Sequence, residues 1–203
     1  MPTMTFSRND FFSLLGTLVS QEKLALLLSC VKGELESFGD ELVIQFNDTN
    51  LPWVWSVEGC TAVLRGLLGV ESGIPVVNIK KGSSMIIADT VPGRPFIAGF
   101  LASGNISEEL LKQLLQFQEK FCDSFGRKRH KVAVGVYPAG KISFPVRYTL
   151  AEPSLEFTPL DGQKQPLSRI LQFHPKGKEY AHLLDSWKKL PDDVCNEVST
   201  CWC

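Results

Sequence analysis

The chain has 203 residues, 44% of them hydrophobic and 21% charged. A chain of this length buries roughly 70% of its unfolded surface, enough for one large domain or two small ones. With 21 Lys and Arg against 22 Asp and Glu the formal net charge is -1. No global field therefore draws in nucleic acid or anionic lipid, and any RNA contact has to come from a local patch. The sequence opens Met-Pro-Thr without a basic stretch leading into an apolar core. No window nears the roughly 20 apolar residues of a bilayer span, so a transmembrane reading is excluded and a cytoplasmic location is expected.

In chain order, residues 3–6 suit a short strand. Ser7 then reads as a helix N-cap with Asp10 in the first turn, followed by Phe11, Phe12, Leu14 and Leu15 and ended by Gly16. A second helix is expected from Ser20, with Leu24, Leu27, Leu28 and Val31 at helical spacing and Gly33 as its left-handed stop. Residues 34–46 alternate on either side of Gly39-Asp40, which predicts a hairpin. Pro52 turns residues 48–52 into a loop, because it lacks an N–H and pushes Leu51 out of helical angles. Ser56 caps the next helix, which carries Glu58 near its positive end and stops at Gly69. Residues 71–75 read as a connection between two modules, with the boundary near residue 74.

Beyond it, residues 76–80, 84–89 and 95–101 have strand character. Residues 107–124 form a strong helix pattern, with Leu110, Leu111, Leu114, Leu115, Phe121 and Cys122 expected on one buried face. Val132, Val134 and Val136 alternate before the turn at Pro138-Ala139-Gly140, and Ile142, Phe144, Val146, Tyr148 and Leu150 alternate after it. This predicts a half-buried hairpin whose second strand lies near an edge or bulge because of Pro145. Residues 155–158 add a strand, and helical turns fill 166–184 except at Pro175-Lys176-Gly177. The expected fold class is mixed α/β.

Cys30, Cys60 and Cys122 sit in apolar helical stretches, where a reduced cysteine behaves as a small hydrophobe. Cys195, Cys201 and Cys203 crowd the end without CxxC spacing or a following His, so no metal site is expected. His174 and His182 lack a third ligand and fit a loop or surface role. Trp53 and Trp55 could stack on bases, but packing of their loop onto the next helix is the expected role. No phosphate loop, dinucleotide turn, nucleophile elbow or HExxH pair occurs, and no catalytic residue is assigned. The one local cluster suited to RNA is Arg127, Lys128, Arg129, His130 and Lys131. These side chains either meet phosphate oxygens or form a solvated connector that favours the preceding helix C-terminus.

The order of unusual strings is more specific than any one of them. Asp48-Thr49-Asn50-Leu51-Pro52-Trp53-Val54-Trp55-Ser56-Val57-Glu58-Gly59, with Leu64-Arg65-Gly66 after it, resembles the DTNRPDLWSxEG and LRG strings of archaeal/eukaryotic-type phenylalanyl-tRNA synthetase beta subunits. Leu51 stands where that family has Arg and Trp53 where it has Asp, so a polar duty at those positions does not carry over. Arg94-Pro95, Leu115-Gln116-Phe117-Gln118-Glu119-Lys120, the Gly126 to Gly135 string and the His174 to Leu184 string are similar to further family strings in the same order.

The resemblance implies an N-terminal α/β module at residues 1–74, a partial editing-type domain at 75–186, and an unaligned Cys-rich tail at 187–203. It implies that the synthetase alpha subunit and tRNA(Phe) are the partners. ATP and Mg2+ would serve the complete synthetase, with no cofactor held by this chain, and the chain alone would be noncatalytic. Two other roles follow from the same likeness: a stand-alone hydrolase of mischarged Tyr-tRNA(Phe), or a noncatalytic RNA-binding scaffold. Editing has a physical motive, since closely related side chains are hard to separate by binding alone.

Overall fold

The structure is a computed structural model and describes residues 1–74, 76–159 and 162–184. Its chain divides into two units, one of Met1–Ile79 with Gly104–Val136, the other of Lys80–Ser103 with the chain from Tyr137 onward. The mixed α/β expectation holds.

The first unit is built on a three-stranded antiparallel sheet of order β1-β3-β2, from β1 (Thr3–Ser7), β2 (Gly33–Phe38) and β3 (Glu41–Phe46). Strand alternation sends Met4, Phe6, Leu42, Ile44 and Phe46 to one face, where all five are buried. The register pairs Met4 with Ile44 and Phe6 with Leu42, which keeps that face continuous across the strands. Helices α1 (Arg8–Leu15), α2 (Gln21–Ser29) and α3 (Val57–Leu67) join the same core through Phe11, Phe12, Leu15, Leu24, Leu28, Val57, Cys60 and Leu64.

Each helix starts where the sequence places a cap. The hydroxyls of Ser7, Ser20 and Ser56 accept from the backbone N–H groups of Asp10, Lys23 and Gly59. Gly16, at φ 76°, closes α1 in the left-handed region. At the end of α2 the left-handed residue is Lys32, at φ 54°, and not Gly33, which opens β2. The predicted hairpin forms, with one extra residue between Leu35 and Ser37 that shifts the register.

Helix α4 (Glu108–Asp123) groups with this first unit, together with the rest of Gly104–Val136. The physical reason lies in two glutamines. Gln116 accepts from the Thr5 N–H through Oε1 at 2.8 Å and donates to the Thr5 carbonyl through Nε2 at 3.0 Å. A side-chain amide thus takes the place of a neighbouring strand along the outer edge of β1, occupying groups that would otherwise invite edge-to-edge pairing. Gln113 donates to Asp10 Oδ2 at 2.8 Å. The buried side of α4 is therefore polar as well as apolar. Gln113 and Cys122 are buried, whereas Leu111 and Leu115, expected in the core, are about half exposed.

In the second unit, β4 (Ile86–Ala88) pairs in parallel with β5 (Val146–Tyr148), and the ladder is prolonged by Asp89 N–H to the Tyr148 carbonyl at 2.9 Å. Val91 and Tyr148 form a small buried cluster, and the Tyr148 hydroxyl donates to the Arg94 carbonyl at 2.8 Å. Strands β6 (Glu156–Phe157) and β7 (Gln165–Pro166) pair antiparallel and lead into α5 (Leu167–Phe173), which buries Leu167 and Ile170, and then α6 (Pro175–Tyr180).

The predicted hairpin over 132–150 does not form. Residues 132–136 lie outside any strand, because the Val134 N–H is taken by Cys122 Sγ at 3.2 Å and the Val136 N–H by Gln118 Oε1 at 3.2 Å. The second half of the pattern survives only as β5, which starts directly after Pro145 and pairs with β4 instead. Residues 76–80 and 95–101 form no strand either.

Candidate nucleic-acid interface

The basic cluster sits where α4 leaves its axis. The Ser107 hydroxyl accepts from the Leu110 N–H at 3.1 Å, and Glu108 and Glu109 occupy the first turn, so both ends of the helix dipole are complemented once Lys120 follows in the last turn. At the exit, Gly126 is buried. A Cβ there would collide with the carbonyl oxygens of Cys122 and Val132, so only glycine lets the chain pass this closely.

Arg127, Lys128 and Arg129 follow with φ of 50°, 53° and 67°. Three successive left-handed side-chain-bearing residues cost roughly 1–2 kcal/mol each. Backbone hydrogen bonds offset this: Lys128 N–H donates to Asp123 at 2.9 Å, Arg129 N–H to Cys122 at 3.0 Å, and Lys131 N–H to Gly126 at 2.9 Å. The backbone polar groups turn inward, and Arg127, Lys128, His130 and Lys131 are exposed. Arg129 is the exception, half-buried with a guanidinium nitrogen 3.4 Å from Asp123 Oδ1. All five predicted residues thus share one structured turn, with Arg129 also tying the turn back to α4. Chemically the turn offers point charges and a guanidinium fork to phosphate oxygens, which position a nucleic acid without reading its bases.

The Asp48 to Trp55 string proves to be a structural device. Asp48 Oδ1 accepts from the Asn50 N–H at 2.8 Å and Oδ2 lies 3.0 Å from Lys32 Nζ. The backbone bond from Asn50, followed by Lys32, holds the Asp48 carboxyl below its ordinary range. This turn leads into a short 3-10 helix, Pro52–Trp55, in which Trp55 is fully buried as expected for loop packing while Trp53 is half exposed. Trp53, Ser56, Glu58, Leu110, Gln113, Leu114 and Phe117 line a groove of about 370 Å³. Sequence reasoning missed it because its two walls are far apart in the chain.

Among the cysteines, Cys60 and Cys122 are buried as small hydrophobes, and burial pushes the Cys60 thiol up to about 12. Cys30 is exposed, contrary to expectation, because it stands at the C-cap of α2 outside the core. Cys195, Cys201 and Cys203 lie outside the described residues. His174 caps α6, its Nδ1 accepting from the Lys176 N–H at 3.2 Å, and His182 Nδ1 lies 3.0 Å from the Glu179 carbonyl oxygen. Among the described residues no helix is long and apolar enough to cross a membrane.

The chain is 36% identical to the phenylalanine–tRNA ligase beta subunit of Borreliella afzelii across 98% of its own length and 38% of that protein. It is 34% identical to the same subunit of Pyrococcus horikoshii across 91% of its length and 35% of that protein. A crystal structure of an N-terminal fragment of the Pyrococcus horikoshii phenylalanyl-tRNA synthetase beta subunit superimposes with a TM-score of 0.78 at 32% identity, covering 90% of this chain and 55% of the fragment.

The chain belongs to the phenylalanine–tRNA ligase beta-subunit family.

It corresponds to an N-terminal portion of such a subunit and spans less than two fifths of the length of the curated relatives it matches. No family model matches the chain. Membership in the beta-subunit family agrees with the ordered strings of the sequence, including the Asp48 to Gly59 segment held by its own internal hydrogen bonds.

Proposed function

We propose that the chain acts as the N-terminal part of a phenylalanine–tRNA ligase beta subunit, assembling with a synthetase alpha subunit and contributing to tRNA(Phe) binding without aminoacylation chemistry of its own. The observation that carries this reading is the match to beta subunits along 98% of the chain, which leaves almost none of it for an unrelated role. Under this proposal the alpha subunit activates phenylalanine with ATP and Mg2+. The second unit is the opening part of an editing-type domain, and the site of action is the cytoplasm.

The turn at Arg127 to Lys131 supplies the RNA contact. It presents four exposed basic or titratable side chains from a backbone already fixed by hydrogen bonds, so little ordering entropy is lost on binding. With a formal net charge of -1, the attraction has to be short-ranged and sensitive to salt.

Replacing Arg127, Lys128 and Lys131 together by Gln is expected to weaken tRNA(Phe) binding at least tenfold in a filter or fluorescence titration. The slope of log K against log salt should fall by nearly one for each phosphate that is no longer neutralised. Unchanged affinity and slope would remove the turn from the interface. A purified chain that by itself attached phenylalanine to tRNA would refute the noncatalytic assignment, and one that deacylated Tyr-tRNA(Phe) would establish the hydrolase instead.

A further inference from the structure

Helix α4 and the turn after it carry a column of phenylalanines that runs out beside the basic cluster. Phe117, Phe121 and Phe125 recur every four residues, a spacing that sets side chains one above the other on a helix face. The ring centroids lie 5.7 Å apart for Phe117 and Phe121 and 5.1 Å apart for Phe121 and Phe125, with interplanar angles of 26° and 27°. The column begins at Phe117, which packs against the core of the first unit, and ends in solvent at Phe125, which is 40% exposed. Phe121 covers one face of the Phe125 ring, which leaves the other face and the edge to solvent.

The backbone holds that ring in place. The Ser124 N–H donates to the Lys120 carbonyl at 2.9 Å and the Gly126 N–H to the Phe121 carbonyl at 2.8 Å, so Phe125 sits between two anchored neighbours. Arg127 follows two residues later, and at 3.8 Å per step its Cα lies within about 7.6 Å of that of Phe125. A flat apolar face and the exposed side chains of Arg127, Lys128 and Lys131 therefore share one short, hydrogen-bonded stretch.

We propose that Phe125 is a stacking platform for the base of an unpaired RNA nucleotide, whose neighbouring phosphates are held by the turn at Arg127 to Lys131. The inference rests on the reading of that turn as the RNA contact and adds the kind of RNA it takes. Point charges and a guanidinium serve duplex and single strand alike. An exposed ring does not. In an A-form duplex each base face is covered by its neighbours and the major groove is too deep and narrow for side chains, so the ring gains only where a base is splayed out. A membrane surface suits the patch less well: Phe125 is its one large apolar side chain, and a partly covered ring buries far less than the acyl chain that anchors a protein beside a polybasic patch.

The purified 203-residue chain is to be titrated with a short single-stranded RNA of mixed sequence, a blunt RNA duplex of the same length, and tRNA(Phe). The parent chain is expected to prefer the single strand to the duplex by about tenfold, the scale of one stacked base. Phe125→Leu keeps an apolar group against Phe121 and should weaken single-strand binding by about tenfold with duplex binding unchanged. Its slope of log K against log salt should match that of the parent, since no phosphate contact is lost. Phe125→Trp should retain the single-strand affinity, and unchanged hydrogen exchange in α4 and β1 shows that each variant keeps the fold.

Equal affinity of the parent for single strand and duplex overturns the proposal, as does single-strand binding that Phe125→Leu leaves intact. An equal loss on both RNAs would make Phe125 a support of the turn and not a platform. Binding to phosphatidylserine vesicles that single-stranded RNA does not compete away would assign the patch to a membrane. Salt-dependent RNA binding that needs Arg127, Lys128 and Lys131 but not the Phe125 ring would sink this inference alone. Absence of binding to all three RNAs would sink the reading of the turn beneath it.

Discussion

The two units use similar apolar sequence to opposite ends. In the first, alternation along β1 and β3 and helical spacing along α1 to α3 converge on one cluster. Trp55, Phe6, Phe11, Phe46 and Met4 are its largest fully buried side chains. In the second, the buried cluster around β4 and β5 is Val91 and Tyr148, while Phe96, Phe100 and Phe173 stand in solvent. Apolar content is therefore not what separates a densely packed unit from a sparsely packed one. What separates them, among the described residues, is whether each face and each edge meets a partner.

The sharpest way to break this contrast is to remove a large side chain from the first cluster. Trp55→Ala should cost about 3–5 kcal/mol in denaturant unfolding, since a fully buried ring is lost and the surrounding helices cannot fully close the space. A loss below about 1 kcal/mol would mean that the first unit is as loosely held as the second. Gly126→Ala tests whether residues 104–136 belong with the first unit. The added methyl meets two backbone carbonyls, and an overpacking cost of about 1–3 kcal/mol is expected, read as faster exchange in α4 and β1. Faster exchange confined to β4 and β5 would reassign the segment.

A smaller effect comes from Cys60. Its folded thiol is raised to about 12, above the unfolded value of about 8.5, so the folded state holds its proton longer than the unfolded one. That contribution is fully present below about pH 8.5 and is lost as pH rises towards 12, at about 1.4 kcal/mol per pH unit. Cys60→Ala should flatten the alkaline fall in stability relative to the parent chain. An identical slope in both would show the thiol to be accessible and the core around it open.

Much of the first unit is legible in its sequence because its determinants are local. Ser7, Ser20, Ser56 and Ser107 are caps in both sequence and structure, and Gly39-Asp40 is a hairpin turn in both. The errors arise where a distant group outcompetes local pattern. The valines at 132–136 have strand periodicity, yet Cys122 and Gln118 of α4 take their N–H groups. The leucines of α4 suggest its buried face, yet Gln113 and Gln116 reach Asp10 and the edge of β1 and turn the helix accordingly. At the basic turn, the sequence displays the run of charged side chains but not the backbone that carries them. The left-handed backbone of Arg127, Lys128 and Arg129 was not legible, because nothing local demands φ above zero from three non-glycine residues.

Native-state hydrogen exchange across the whole chain tests the contrast most directly. The amides of Phe11, Leu28, Ile44 and Leu64 are expected to exchange only through global unfolding of the first unit, whereas residues 96–101 should exchange within about tenfold of an unstructured peptide. Protection at 96–101 equal to that of β3, in the chain by itself, would contradict the contrast between the two units.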